Sequence, residues 1–100
     1  IPVQIVDSLD EAIKMSNATK YGLGCTIFTR DIERAMNAAD KIKSGTVCIN
    51  SPLMENIAAP FGGMKQSGIG REHGIEALDE FREAKHIYID YEHSKKSWWF

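Results

Sequence analysis

The sequence of 100 residues predicts an α/β fold in which strands and helices alternate in the order β-α-β-α-β. Three short runs rich in β-branched residues, at 1–6, 25–29 and 46–49, are separated by two stretches with helical periodicity. Strands that alternate with helices in this way pack into a parallel sheet with right-handed crossovers. The order is therefore typical of one half of a doubly wound domain.

The first strand is predicted over residues 1–6, which are apolar at nearly every position, as in a strand buried on both faces. A helix is predicted over residues 9–18. Ser8 and Glu11 form a capping box at its start, because the Ser8 hydroxyl can accept from the third helical amide while Glu11 reaches back. Gly22 ends this run.

The second strand is predicted at residues 25–29, and Asp31 is placed to cap the helix that follows. The apolar residues of that helix follow the i, i+3, i+4, i+7 rule: Ile32, Ala35, Met36, Ala39 and Ile42. Gly45 ends the helix, and residues 46–49 form the third strand.

The most constrained stretch is residues 60–74, which hold five of the chain's eight glycines. Glycine is favoured where φ is positive or where two backbones approach closely. With residues 51–59, this stretch makes a long segment that has neither helical nor strand periodicity, and such loops are usually functional or disordered. The shape of the loop is therefore expected to matter to a site.

An amphipathic helix is predicted over residues 72–84, because apolar residues recur there at helical spacing. Residues 86–91 alternate in character and predict a final strand. The tail ends in Trp98, Trp99 and Phe100, which a lone soluble monomer would have difficulty burying. Burial against a neighbouring subunit and a frayed chain end are both open interpretations of this tail.

The composition is that of an ordinary soluble domain, with 43% hydrophobic and 26% charged residues. A net charge of -2 argues against nucleic acid or an anionic membrane as partner, since both are bound through basic surfaces. No apolar run approaches the roughly 20 residues that cross a bilayer, and the sequence does not start with a signal-like stretch. A cytoplasmic location and a small-molecule or protein partner are therefore expected.

Two phosphate-binding motifs fail on spacing. Gly68, Gly70 and Gly74 are spread one residue too far for a dinucleotide fingerprint, and no predicted strand immediately precedes them. Gly63 and Gly68 resemble the start of a P-loop, but Ile69 and Gly70 follow where Lys and Ser or Thr are needed. No cofactor-binding residue is therefore assigned within the chain.

The histidines and the cysteines also have interpretations that involve no catalysis and no metal binding. His73, His86 and His93 cannot share a helical face, which argues against a metal site. Cys25 and Cys48 lie in apolar strand contexts, so two buried free thiols are expected rather than a disulfide, a metal ligand or a nucleophile. No catalytic residue is assigned.

A more specific signal is the order of motifs along the chain. Asn50 is followed ten residues later by Pro-Phe-Gly-Gly-x-Lys-x-Ser-Gly-x-Gly-Arg-Glu, and Asn17 begins an upstream Asn-x-Thr-x-Tyr-Gly-Leu run. Over most of its length the sequence resembles the C-terminal part of the NAD(P)-dependent aldehyde dehydrogenase superfamily. The resemblance implies the C-terminal part of that family's catalytic domain for residues 1–84, and an oligomerisation strand and tail for residues 85–100.

The same resemblance implies oxidation of an aldehyde to a carboxylic acid with NAD or NADP, through a thiohemiacetal and a thioester on a catalytic Cys. In the family that Cys lies in a Gly-Gln-x-Cys turn, which surrounds neither Cys25 nor Cys48. The nucleophile, the general base and the cofactor domain are expected upstream of Ile1, in a longer parent protein. The chain alone is expected to be inactive, and the parent is expected to be a homo-oligomer joined through residues 86–91.

In the family, the segment between the Asn and the Pro-Phe-Gly-Gly turn forms one wall of the substrate channel. By position, Leu53 and Glu55 are the first candidates to face the aldehyde, and Met54 is the next. Phe61 is expected to pack beside the channel. The alternative that Leu53 and Met54 only pack, with Glu55 solvated, stays open. Relatives that oxidise acidic semialdehydes have a small hydroxyl residue at the position of Glu55, so the carboxylate here disfavours an anionic substrate.

Lys65, Arg71 and Glu72 also belong to the family motif, and they are expected to pin the loop through charge-assisted bonds to carbonyls or carboxylates. A second interpretation belongs to a different class of function. The same fold could serve as a non-catalytic interaction module, which would account for the missing catalytic residues and the apolar tail.

Overall fold

The computed structural model describes residues 1–52 and 56–91. These residues form, in order, α1 (Leu9–Ala18), β1 (Tyr21–Gly22), β2 (Gly24–Ile27), α2 (Ile32–Lys41), β3 (Thr46–Ile49), β4 (Met64–Lys65) and α3 (Glu76–Asp79). The α/β class is confirmed. Its centre is a parallel pair in which Gly24 of β2 lies opposite Thr46 of β3, and Ile27 lies opposite Ile49. The helix α2 makes the crossover between these strands.

The first helix begins and ends where the sequence predicts. The Ser8 hydroxyl accepts from the Glu11 amide at 3.2 Å, and the Glu11 carboxylate accepts from the Asp7 amide at 3.0 Å. Amides of the first turn have no partner within the helix, so these bonds set its start. The helix buries Ile13 and contacts α2.

The second helix is also capped as predicted, since the Asp31 carboxylate accepts from the Arg34 amide at 3.0 Å. Its buried face is narrower than the apolar stripe in the sequence. Ala35 and Ala38 are buried, whereas Ile32 and Met36 are exposed. Small side chains therefore make the contact of α2 within the chain, and the larger ones lie on a face that the described residues leave open.

The predicted first strand is wrong for this structure. Residues 1–6 do not belong to a strand, and the side chains of Ile1 and Ile5 are fully exposed. A strand exists only where a neighbour offers backbone hydrogen bonds, and none of the described segments pairs with this one. The described order therefore begins with a helix, and the full β-α-β-α-β arrangement is not formed.

The predicted helix over residues 72–84 is wrong in extent, because α3 spans only Glu76–Asp79. Glu72 is held in a bridge with Phe61, and His73 and Gly74 both have positive φ, 61° and 64°. A right-handed helix cannot pass through such residues. The apolar side chains meant for the core are also exposed, so the helix lacks the packing that stabilises short helices.

The predicted final strand is absent from the single chain. Residues 86–91, all of them described, form no strand, and Ile87, Ile89 and Tyr91 are exposed. The predicted pairing with a neighbouring subunit stays a prediction. Trp98, Trp99 and Phe100 lie outside the described residues.

The chain closes very little core of its own. Among the described residues, the buried apolar side chains are those of Ile13, Ala35 and Ala38. The radius of gyration is 21.4 Å, whereas a compact chain of this length has a value of about 13 Å. Most apolar side chains therefore face outward. Within the described portion, none of the helices has the length and hydropathy needed to cross a membrane.

Candidate functional site

The candidate site begins at the carboxyl edge of the parallel pair, where β2 ends at Ile27 and β3 ends at Ile49. In open α/β sheets, ligands bind in the crevice outside the carboxyl ends of the strands. The chain leaves this edge through Asn50, whose φ is 56°. Residues 50–52 therefore leave the sheet at the edge at which an α/β protein of this class binds its ligand.

Three of the four residues predicted to face substrate fall outside the part of the chain that the structure describes. They are Leu53, Met54 and Glu55, and their roles stay predictions. The chain on either side of them is described, and both sides are anchored. What the structure shows of the site is therefore the contacts of the residues that flank these three.

The far side of the segment is held by hydrogen bonds to backbone amides. The side-chain Oδ1 of Asn56 accepts from the Ala58 amide at 3.0 Å, and the Asn56 carbonyl accepts from the Ala59 amide at 2.9 Å. The Gly74 amide donates to the Ile57 carbonyl at 3.0 Å. These bonds turn the chain just before the glycine-rich loop and tie it to the end of that loop.

Phe61 is the predicted site residue that the structure does describe. Its backbone forms a two-bond bridge with Glu72, with both N–O distances at 2.7 Å. Its half-buried ring lies 6.4 Å from the His73 ring, centroid to centroid. The ring lines a cleft of about 530 Å³ together with Leu23, Phe81 and the glycine-rich loop. Cavities of roughly 300–1,000 Å³ are typical of small-molecule sites. Phe61 therefore lines this cleft, and along the chain it follows the predicted substrate segment.

The glycine-rich loop returns to the amino edge of the sheet, which the sequence did not predict. Lys65 of β4 pairs with Tyr21 of β1, and the Gln66 amide donates to the Lys20 carbonyl at 3.0 Å. The Ser67 hydroxyl accepts from the Gly22 amide at 2.8 Å. These contacts fix the loop to the residues that lead into β2.

The cations of the loop act as the sequence predicts. Lys65 Nζ donates to the Thr19 carbonyl at 2.8 Å. Arg71 Nη1 donates to the carbonyls of Gly63 and Gly70, at 3.0 and 2.7 Å. Charge-assisted bonds of this kind are among the strong ones in proteins. The prediction that Lys65 and Arg71 hold the loop through charge-assisted bonds is thus confirmed. The hydrogen bonds described for Glu72 are made by its backbone.

Glycine is required at this amino edge for two different reasons. A side chain on Gly45, just before β3, would overlap the carbonyl group of Gly62, so the two backbones meet directly. Gly68 has no neighbour within 4 Å of such a side chain, but its φ of 126° disfavours other residues. The sequence predicts only that Gly45 ends a helix, because its contact with Gly62 is remote along the chain.

Both cysteines are free thiols, as predicted, and both are half-buried. Cys25 lies opposite Val47 in the ladder and Cys48 lies opposite Thr26. Facing residues in a ladder share a side of the sheet, so the two thiols lie on opposite sides. Burial, and to a lesser extent the neighbouring Cys48, raise the pKa of the Cys25 thiol. This direction is opposite to that of an activated nucleophile.

The described residues do not fit a dinucleotide site. The glycine-rich loop ends in the Phe61–Glu72 bridge rather than running from a strand into the amide end of a long helix. Within residues 1–52 and 56–91, no group of three His, Cys, Asp or Glu side chains is placed to hold a metal ion. His73 Nδ1 is buried with no hydrogen-bond partner in this part of the chain.

The chain matches the model of the aldehyde dehydrogenase family over residues 1–87. Mitochondrial 10-formyltetrahydrofolate dehydrogenase of Mus musculus is 47% identical over 83 residues, which cover 83% of this chain and 9% of that protein. Succinate-semialdehyde dehydrogenase of Paenarthrobacter nicotinovorans is 42% identical over 88 residues, which cover 88% of this chain and 20% of that protein.

Solved structures of aldehyde dehydrogenases also superpose on this chain. The NAD+ complex of an aldehyde dehydrogenase from Bacillus cereus superposes with a TM-score of 0.82 at 46% identity, over 86% of this chain and 18% of that one. A double mutant of betaine aldehyde dehydrogenase from Staphylococcus aureus, in complex with NAD+, gives 0.89 at 41% identity, over 97% and 20%. The chain thus spans from 9% to 20% of the lengths of these relatives.

Proposed function

The chain belongs to the aldehyde dehydrogenase family, and from this we propose that it works as part of an oxidoreductase that converts an aldehyde to a carboxylic acid with NAD or NADP. The loop over residues 50–61 is the observation that supports this most directly. Residues 50–52 leave the carboxyl edge of the parallel pair, and Ile57 and Phe61 are held by backbone bonds to Gly74 and Glu72. An anchored segment at this edge suits the wall of a substrate channel.

The chemistry itself is assigned to residues outside this chain. A thiolate must attack the aldehyde carbonyl, and a lowered pKa or an adjacent base generates such a thiolate. Cys25 has a raised pKa instead. NAD or NADP would accept the hydride when bound, and its site is proposed to lie outside this chain. The role proposed for residues 1–84 is to shape and hold the substrate channel, within a longer polypeptide.

Leu53, Met54, Glu55 and Phe61 are the residues proposed to line that channel. The position of Phe61 supports its inclusion, because its ring is presented on the cleft side of the Phe61–Glu72 bridge. The carboxylate of Glu55 would repel a substrate carboxylate about 4 Å away by about 1 kcal/mol in bulk water, and by more where water is partly excluded. Neutral or cationic aldehydes are therefore the preferred substrate class.

Residues 85–100 are proposed to join subunits of a homo-oligomer. Four large apolar or aromatic side chains of residues 86–91 are more than half exposed: those of Ile87, Tyr88, Ile89 and Tyr91, at 73%, 65%, 60% and 83%. A strand from a second subunit would cover such side chains and satisfy the backbone at the same time. In a two-fold contact the same element then serves both sides.

Enzyme assays test the proposal. The complete polypeptide should reduce NAD+ or NADP+ in the presence of an aldehyde, and changing the Cys of its Gly-Gln-x-Cys turn to Ala should abolish turnover. The 100-residue chain alone should show none. Turnover by that chain that survives repurification would contradict the assignment of the chemistry. A complete polypeptide without turnover on a panel of aldehydes would contradict the function itself.

An interaction module is the competing function, and the small core of the chain argues against a free-standing one. Saturable binding of a protein partner by the isolated, folded chain would favour that module.

A further inference from the structure

A second pocket lies at the amino edge of the parallel pair, the edge opposite to the candidate site. Its volume is about 300 Å³, at the lower end of the range for small-molecule sites. Parts of α1, β1, β2 and the turn before β3 form its walls. None of the described residues that line it is Asp or Glu, and the polar ones, which define the Ser44 pocket, are Ser16, Thr19, Tyr21, Lys43, Ser44 and Ser67.

Ser44 is the deepest polar residue of this pocket, with only 7% of its surface exposed. Its amide donates to the Ile42 carbonyl at 3.0 Å. Its hydroxyl oxygen is buried and has no hydrogen-bond partner among the residues that the structure describes. Leaving a buried hydroxyl unpaired is costly, and native proteins rarely do so. A ligand that enters the pocket and pairs with this hydroxyl would recover that cost.

Two more hydroxyl groups of the pocket are already fixed in place. The Ser67 hydroxyl accepts from the Gly22 amide at 2.8 Å. The Thr19 hydroxyl accepts from the Tyr21 amide at 3.2 Å. A hydroxyl that accepts one bond still carries a proton that it can donate. The pocket therefore offers hydroxyl donors from several elements whose positions are set by the backbone.

Three lysines lie at or beside the pocket, although the chain as a whole carries a net charge of -2. Lys43 lines it. Lys20 Nζ lies 5.3 Å from the centroid of the Tyr21 ring, and Lys65 Nζ donates to the Thr19 carbonyl at 2.8 Å. Cations and hydroxyl donors without a facing carboxylate favour a negatively charged ligand with oxygen acceptors.

We propose that the Ser44 pocket binds a small oxyanion, such as inorganic phosphate or a short carboxylate. Oxygen atoms of the anion accept from the hydroxyls of Ser44 and Ser67, and Lys43 supplies the opposite charge. The pocket lies at the other edge of the sheet from the proposed substrate channel. The inference therefore goes beyond the proposed function and does not depend on it.

Thiol labelling of the complete polypeptide tests the site locally. Cys25 lines the pocket, whereas Cys48 lies on the other side of the sheet. Iodoacetamide should label Cys25 about threefold more slowly in saturating phosphate than in chloride of equal ionic strength, because a nearby anion lowers the thiolate fraction. The labelling rate of Cys48 should not change. Mass spectrometry of the two cysteine peptides measures both rates.

Two variants remove the proposed ligand contacts one at a time. Ser44→Ala removes the buried donor, and Lys43→Met removes the charge. Each should raise the phosphate concentration that half-protects Cys25 by about tenfold, since a hydrogen bond to a charged group is lost. Lys14→Met is the matched control, because Lys14 is an exposed lysine of α1 outside the pocket lining, and it should leave this concentration unchanged.

Thermal unfolding without phosphate gives an independent result for Ser44→Ala. This variant should unfold no lower than the wild type, because the hydroxyl that it removes is unpaired in the described part of the chain. Repeating the protection series with acetate separates the two sources of the anion. The anion that protects Cys25 at the lower concentration is the class that the pocket takes.

Three outcomes would overturn the proposal. Protection that is as strong in Ser44→Ala as in the wild type would place the anion elsewhere. Cys25 labelling that neither phosphate nor acetate slows beyond chloride would mean that the pocket takes no oxyanion. A Ser44→Ala variant that unfolds clearly lower in the absence of anion would show that the hydroxyl already has a partner within the protein.

Discussion

Replacing Gly45 with Ala should detach the glycine-rich loop from the amino edge of the sheet. The new Cβ would overlap the Gly62 carbonyl oxygen and lie 2.8 Å from the carbonyl carbon and 3.3 Å from Gly63 Cα. Gly45 itself cannot retreat easily, because its amide donates to the Gly22 carbonyl at 3.0 Å. The obstacle is backbone rather than a side chain that could rotate, so residues 62–63 must move.

The cost follows from what that movement breaks. Inserting a methyl group into a close-packed contact costs about 1–3 kcal/mol. Moving Gly63 also stretches its 3.0 Å bond from Arg71, and a hydrogen bond to a charged group is worth about 1.5–3 kcal/mol. The sum, about 2.5–6 kcal/mol, is a large part of the roughly 5–15 kcal/mol that holds a typical protein folded.

Thermal and urea unfolding of the complete polypeptide would measure this loss, and Gly68→Ala is the matched comparison. Gly68 offers open space, so its cost comes only from a φ of 126°, and a residue held in such a sparsely populated region costs about 1–3 kcal/mol. Gly45→Ala should therefore be clearly the less stable variant. If Gly45→Ala unfolds with wild-type stability, or is more stable than Gly68→Ala, the close approach of the two backbones does not exist in solution.

Three further predictions concern charge, acidity and specificity, and a fourth concerns assembly. Arg71→Met should lower the free energy of unfolding by about 2 kcal/mol, because two loop carbonyls lose a cationic donor. Burial raises the pKa of Cys25 in the folded state, so its contribution to stability is present below the ordinary cysteine pKa of about 8.5 and is lost as the pH rises through the raised value. Cys25→Ala should therefore flatten the alkaline fall in the urea midpoint. Glu55→Gln should raise kcat/KM for an anionic semialdehyde about fivefold over a neutral aldehyde, from about 1 kcal/mol of repulsion, and the exposed Glu33→Gln should not. Deleting residues 85–100 should give monomers or aggregates without activity, seen by light scattering.

Each of these has an outcome that would contradict it. Arg71→Met with wild-type stability would mean that water replaces the guanidinium without cost. An unaltered pH profile in Cys25→Ala would assign the alkaline loss to other groups. An equal response of both aldehydes to Glu55→Gln would place that carboxylate in solvent. A truncated enzyme of native mass and activity would remove residues 85–100 from the interface.

The sequence predicted well those elements whose causes are local. The bounds of α1 follow from Ser8 and Glu11, and β3 follows from a β-branched run after Gly45, all within a few residues of one another. The same local rules failed for residues 1–6 and 86–91. Their alternation and apolarity are those of strands, but a strand also needs a neighbour, and the described part of this chain offers none.

The sequence predicted which residues belong to the site, but it did not predict all of the contacts that hold them in place. Lys65 and Arg71 could be assigned to pinning because cations beside a glycine-rich loop have few other uses. The two hydrogen bonds that join the Asn50 side chain to the Thr29 backbone could not be predicted, since Thr29 lies 21 residues away and neither residue carries a pattern that links it to the other. Contacts of this kind depend on the register of β2 and β3, which only the folded chain supplies.

The path of the loop explains why so much glycine is concentrated in one stretch. A loop that only lined a site could be held at the carboxyl edge alone and would need few special residues. This one starts at Asn50 on that edge and crosses to Gly22 and Gly45 on the opposite edge, where backbones meet without side chains between them. Its position is therefore set by the sheet at both edges. The concentration of glycine is thus what allows the backbone of residues 62–70 to approach the amino edge of the sheet so closely.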